Sequence, residues 1–221
     1  MKKQSDIKKI VDEFKYQSNP DSRYASFDYC YNYFKKTKPK DLTKDIEKSC
    51  LTLGFYLASW GMLRGSSFLL KKSVKHFQPT INYLSTLENS VWKIDIDKYN
   101  DWNIKIIIQI YKDLKKLLVV ENKAHRTLVT KVMLGVFGFI PAYDQYFLKT
   151  FSRIFKDKCS FTSVNKLSLT CLKTFYDVNN KTINKISAET FTINFLTGMK
   201  TNINYPKAKI IDMYGYTHSR K

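Results

Sequence analysis

RTLVTKVMLGVFGFIPAYDQYFLKTFSRIF, residues 126–155, is the stretch on which the fold turns. From Thr127 to Phe137 it carries one cation, Lys131, and no acid, so it reads as a helix buried on most of its surface. Gly138 and Pro141 end that helix. Asp144 then precedes a second, amphipathic helix from Tyr146 to Phe155. A carboxylate there accepts from the backbone N–H two or three residues on, a cap worth ~1 kcal/mol. Two helices joined through Gly-x-x-Pro-x-x-Asp set the pattern for the rest of the chain.

Outward from this pair the periodicity stays helical. Ser5 is placed to cap a first helix with Ile7, Ile10, Val11 and Phe14 on one face, ending before Asn19-Pro20. Asp21-Ser22 opens a second, on which Phe27, Tyr31 and Phe34 form a stripe among further tyrosines. Such a stripe packs a core more often than it stacks bases. From Thr43 to Trp60-Gly61 the apolar residues cover nearly the whole circumference, the pattern of a central helix. Residues 59–67 then form a tight break, with Ser66 or Ser67 as the next cap. Arg64 inside this apolar region has to reach water, a carboxylate or a ligand anion, because burying it unpaired costs several kcal/mol. Pro79 starts a short helix to Leu87. Val91 to Asp97 alternates like a short strand or an extended loop packing Trp92. Helices follow at 102–118 behind Asn100 or Asp101, at 163–178, and at 207–213 behind Pro206, where Asp212 reads as an ion-pair partner. Phe191 to Leu196 is ambiguous. The fold class is mostly α: a compact multi-helix unit over residues 1–221, with one well-filled core or two small lobes sharing one.

The charge is the strongest global signal. Lys and Arg number 38 against 19 Asp and Glu, a formal net charge of +19. The chain holds 33 Lys but 5 Glu. An A-rich coding bias would raise both, so a polyanionic partner explains the imbalance better. The excess is spread along the chain and densest after residue 150, with no block of five or six consecutive cations, as on the surface of a folded body. Cys30, Cys50, Cys159 and Cys171 stand too far apart for a zinc or iron–sulfur spacing and read as buried thiols. His76, His125 and His218 are isolated, so no cofactor or metal is expected. The best apolar run, Leu51 to Leu70, contains Arg64 and falls short of the ~20 uncharged residues of a membrane span. The N-terminus lacks the apolar core of a secretory signal, which makes a cytoplasmic location the expectation.

The run from Arg126 to Asp144 resembles the central motif of the helix-hairpin-helix DNA glycosylases. In that family a hairpin L-P-G-x-G-x-K-T leads an apolar helix, then Gly, Pro and V-D-T-H-V. Arg126-Thr127 aligns without gaps with the family's K-T, and Asp144 with its catalytic aspartate. The resemblance implies two helical lobes around a cleft, DNA rather than RNA as partner, and a carboxylate, Asp144, that stabilises the cationic sugar of a breaking N-glycosidic bond. It also implies phosphate contacts from Lys123, His125, Arg126 and Lys131, with Arg153 on the following helix and Arg64 as a further candidate. Trp60 and Tyr143 would wall the base pocket. Asn122 and Ala124 stand where the family has hairpin glycines. Arg126 occupies the Schiff-base lysine position and remains protonated, so the implied enzyme is monofunctional. The alternatives are a non-catalytic nucleic-acid-binding module and a protein-interaction or toxin-like factor with a basic surface. Oligomeric state is not legible.

Overall fold

The computed structural model describes residues 4–16, 19–119 and 125–219. Its helices are α1 (Gln4–Tyr16), α2 (Ala25–Lys36), α3 (Ile46–Ser59), α4 (Gln78–Ser85), α5 (Asp101–Leu118), α6 (Arg126–Phe137), α7 (Gln145–Ile154), α8 (Lys166–Glu189) and α9 (Lys207–His218). Between α8 and α9 a small antiparallel hairpin, β1 (Phe191–Ile193) and β2 (Lys200–Asn204), pairs Phe191 with Asn204 and Ile193 with Lys200. The protein is thus mostly helical.

Local chemistry explains most boundaries. Asp45 caps α3 by accepting from Lys48 N–H, and Asn100 caps α5 by accepting from Asn103 N–H. Asn165 and Ser168 form a reciprocal capping box at α8. Gly138, at φ 72°, closes α6 in the left-handed conformation, its N–H donating to Met133 and Leu134 carbonyls. Ser5 lies inside α1 and not at its cap. Ser67, one of the two candidate caps, accepts from Leu69 N–H.

Two expectations are corrected. Residues 91–97 form two 3₁₀ turns, Val91–Lys93 and Ile96–Lys98, in place of a strand. Asp95 between them is the reason: its carboxylate accepts from Ile96 N–H and also from the first amides of α9, Lys207 at 2.8 Å and Ala208 at 3.1 Å. Trp92 is buried as expected. The second correction concerns the centre. α3 is one-sided, with Leu51 49% and Phe55 66% exposed. The helices wrapped on all sides are α6, buried from Leu128 to Phe137, and α9, buried from Ala208 to Tyr216. α6 packs on α2, α3 and α5; α9 packs on α1, α7 and α8.

Buried apolar side chains form one continuous cluster through all these elements. The four cysteines are buried free thiols. Among the described residues no group of three or more His, Cys, Asp or Glu is placed to hold a metal, and no helix is long and apolar enough to cross a membrane.

Candidate functional site

Close backbone approach draws the two central helices and their neighbours together. At Gly135 on α6 a Cβ would lie 2.4 Å from the Tyr56 ring of α3; at Gly215 on α9 it would lie 2.8 Å from Phe147 of α7. The Tyr56 hydroxyl, in the space these contacts leave, donates to the Lys131 carbonyl at 3.1 Å. Five polar or aromatic residues consequently meet where α3, α6, α7 and α9 converge: Trp60, Lys131, Asp144, Lys209 and Asp212.

Asp144 is held on three sides. Oδ1 accepts from Tyr146 N–H at 3.1 Å and Phe147 N–H at 3.0 Å, capping α7, while Oδ2 lies 3.4 Å from Lys131 Nζ. The preceding peptide is clamped by the first turns of α6. Arg126 Nε and Thr127 Oγ1 donate to the Tyr143 carbonyl at 3.2 and 3.1 Å, and Tyr143 N–H donates to Thr130 Oγ1 at 2.9 Å. The side chain of Asp144 remains 15% exposed and that of Lys131 only 5%. The carboxylate is therefore the more open member of this pair.

Trp60 lies against the lysines of this cluster. Lys131 Nζ and Lys209 Nζ lie 5.0 and 4.9 Å from its ring centroid. Lys209 also faces Phe27 at 4.6 Å and Phe14 at 5.1 Å, and it donates to Asp212 Oδ2 at 2.8 Å. Asp212 Oδ1 accepts from Ala142 N–H at 3.0 Å, tying α9 to the turn before Asp144. Three aromatic faces and a carboxylate let an ammonium persist where water is excluded. Tyr24 and Tyr216 complete the aromatic rim, and Arg23 Nη2 donates to the Tyr216 hydroxyl at 3.2 Å. Trp60 is half-buried, yet its Nε1 is buried and has no hydrogen-bond partner among the described residues. Within the site two lysines face two aspartates, so the basic excess of the chain resides elsewhere.

The remaining candidates are dispersed. Arg126 and His125 line a separate open cavity of about 490 Å³, beside Gly61, Ser66, Ser67 and Thr162 at the start of α6. Arg126 spans both places, since its Nη1 also donates to the Thr162 carbonyl. Lys123, with Asn122 and Ala124, lies outside the described residues. Arg64 is exposed, its side chain folded over Gly61, and it makes no ion pair among the described residues. The break at 61–67 lies at the surface, so the cation reaches water.

Three expectations need correction. Lys131 does not face a phosphate surface; it is buried against Asp144 and Trp60. Tyr143 is fully buried, stacked on Phe147 at 5.1 Å with Phe161 edge-on, and belongs to the core instead of a pocket wall. Arg153 is exposed at the far end of α7, half a turn round the helix and roughly 13 Å along it from Asp144.

Lys209 was absent from the sequence-derived set. The available signal was a Lys and an Asp at i, i+3 in an otherwise apolar helix, a spacing that suits a buried pair. No protein-family model, no curated protein and no solved structure matches this chain.

Proposed function

We propose that the protein binds DNA and that the corner between Trp60 and Asp144 receives a nucleotide turned out of the stack, whose base–sugar bond is hydrolysed there. The observation that carries this reading is Asp144 itself: a partly open carboxylate, fixed by two amide donors and by the ammonium of Lys131, which also lies against the half-buried Trp60 ring. As the glycosidic bond breaks, its electron pair leaves with the base and the sugar becomes cationic. A carboxylate already in place lowers that barrier without reorganising. Water then adds to the sugar carbon, and its proton leaves to solvent. Trp60, half-buried against Lys131, would border the base. Arg126 positions Asp144 through the Tyr143 carbonyl, and with His125 it lines the neighbouring cavity, where a phosphate of the same strand would sit. The net charge of +19 supplies the attraction to a polyanion.

The test combines binding with base release on duplexes carrying damaged or modified bases. Asp144→Asn keeps the cap, because asparagine serves equally well at that position. Binding should therefore persist while base release falls by about 10²-fold or more. Base release by Asp144→Asn at the wild-type rate would remove the assignment.

A second reading has its own support. Both oxygens of Asp144 already have partners, which suits a purely structural role. The protein would then be a nucleic-acid-binding module without chemistry, marked by salt-dependent binding and no base release from any substrate.

A further inference from the structure

The loop joining β1 to β2 presents three apolar side chains to solvent: Phe195 is 74% exposed, Leu196 88% and Met199 69%. Single exposed hydrophobes are ordinary, but three on a six-residue tip in so basic a chain form a patch.

The tip is rigidly built. Asn194 Oδ1 accepts from the N–H groups of Leu196 and Thr197, Asn194 N–H donates to the Met199 carbonyl, and Gly198 turns the chain at φ 66°. Behind it a buried polar network fastens the hairpin to α2. Ile193 N–H donates to Asp28 Oδ2, Asn32 Nδ2 donates to the Ile193 carbonyl, and Thr192 Oγ1 donates to Asn32 Oδ1. The apolar side chains are thus held outward by a scaffold that gives them little freedom to fold back.

Its location relates it to the Trp60 corner. Phe195 meets the Tyr29 ring edge-on at 5.1 Å, and Gly198 lies against Pro20. Three residues after Pro20, Arg23 reaches Tyr216, and Tyr24 packs on Trp60 at 5.5 Å. The segment that supports the tip therefore also borders the proposed site. Exposed Lys200 follows Met199, and Asp21 is the one acid between Pro20 and Arg23.

We infer that the Phe195–Met199 tip is a wedge that enters the base stack of the bound nucleic acid beside the nucleotide turned toward Trp60. A polyanion with an apolar interior matches a patch of three hydrophobes on a cationic body. Inserting such side chains between bases offsets the loss of stacking when one nucleotide leaves. The inference rests on the proposed nucleic-acid reading and adds the element that opens the strand.

The experiment uses the full chain, a short duplex with one 2-aminopurine, and vesicles of phosphatidylcholine with phosphatidylserine. Because the tip is exposed, Phe195→Ser/Leu196→Ser/Met199→Ser should melt like wild type. Wild type should bind the duplex and brighten 2-aminopurine as it unstacks. The triple variant should bind about tenfold or more weakly and leave the probe dark. Lys200→Ala should instead reduce the slope of log affinity against log salt by about one and preserve the brightening. If wild type binds but the triple variant matches it in affinity and brightening, the wedge is wrong and the nucleic-acid reading stands. If wild type binds no nucleic acid, both fall. Vesicle binding lost in the triple variant, with duplex binding unchanged, would assign the tip to a bilayer and overturn the wedge.

Discussion

Replacing Lys209 by Met keeps the length of the side chain and removes its ammonium. Lys209 and Asp212 have side chains 2% and 9% exposed, with 2.8 Å between the charged atoms. In Lys209→Met, Asp212 keeps only the Ala142 N–H, and an uncompensated carboxylate stays buried. Breaking a buried pair in this way costs ~3–5 kcal/mol. Asp212→Asn leaves the ammonium against Phe14, Phe27 and Trp60, contacts worth ~0.5–2 kcal/mol each, and should cost less. Lys209→Met/Asp212→Asn removes both charges while the asparagine carbonyl still accepts from Ala142. The double variant should therefore be more stable than Lys209→Met alone, with a coupling of ~1–3 kcal/mol. Urea unfolding measures the three values. For a chain of this size, ~3–5 kcal/mol corresponds to a fall in melting temperature of roughly 6–20 °C. A loss below ~1 kcal/mol in Lys209→Met, or strict additivity in the double variant, would show that the pair is not the buried, coupled unit described.

Three further predictions concern other parts of the molecule. Asp144→Ala and Asp144→Asn both leave the buried Lys131 ammonium without its carboxylate, but only asparagine keeps the α7 cap, so the alanine variant should be less stable than the asparagine variant by ~1 kcal/mol; equal losses in urea titrations would contradict the capping geometry. Burial pushes the Asp28 carboxyl up from its ordinary 3.8 to about 7. The folded state then binds a proton that the unfolded state has released, so the stabilisation is complete below pH 3.8 and disappears as pH rises through 7, a change of about 4 kcal/mol. Asp28→Asn should flatten unfolding free energy against pH between those limits, whereas a wild-type slope in the variant would assign the dependence to another group. Gly135→Ala gains ~1 kcal/mol of helix propensity, but its Cβ would sit 2.4 Å from the Tyr56 ring. Overpacking of that kind costs ~1–3 kcal/mol, so net destabilisation in a thermal melt is expected and a stabilised variant would be contrary to it.

The helices were legible because their signals are local. The acid-free run to Phe137, Gly138 after it and Asp144 before α7 each act within a turn of the chain. Where the reading failed, the deciding partner came from a distant residue. Leu51 and Phe55 made α3 look central, but periodicity reports apolarity, and no element among the described residues covers that face. α9 is wrapped on all sides, yet Lys209 and Asp212 interrupt its pattern and count as surface residues in any periodic reading. Residues 91–97 alternate like a strand because nothing nearby reveals that Asp95 caps α9. At the site, Trp60, Lys131 and Asp144 could be singled out individually as an aromatic break, a lone cation and a turn carboxylate. The resemblance puts them at one site, but the burial of Lys131 between Asp144 and Trp60 was not readable, since it depends on packing between distant helices. Lys209 was invisible for the same reason: Phe14, which shelters it, belongs to the first helix.

That last contact sets an order of events at the ribosome. The apolar stripe of α1 emerges ahead of α9, against which it lies and which follows about 190 residues later, a wait of roughly 10–40 s at ordinary elongation rates. Throughout that interval the nascent chain shows Ile7, Ile10, Val11 and Phe14 to its surroundings with their final covering still unmade. A ribosome stalled before Lys207 would hold a bundle lacking one of its two innermost helices. Such a chain leaves the α1 stripe without the helix that covers it, and synthesis of α9 supplies that cover.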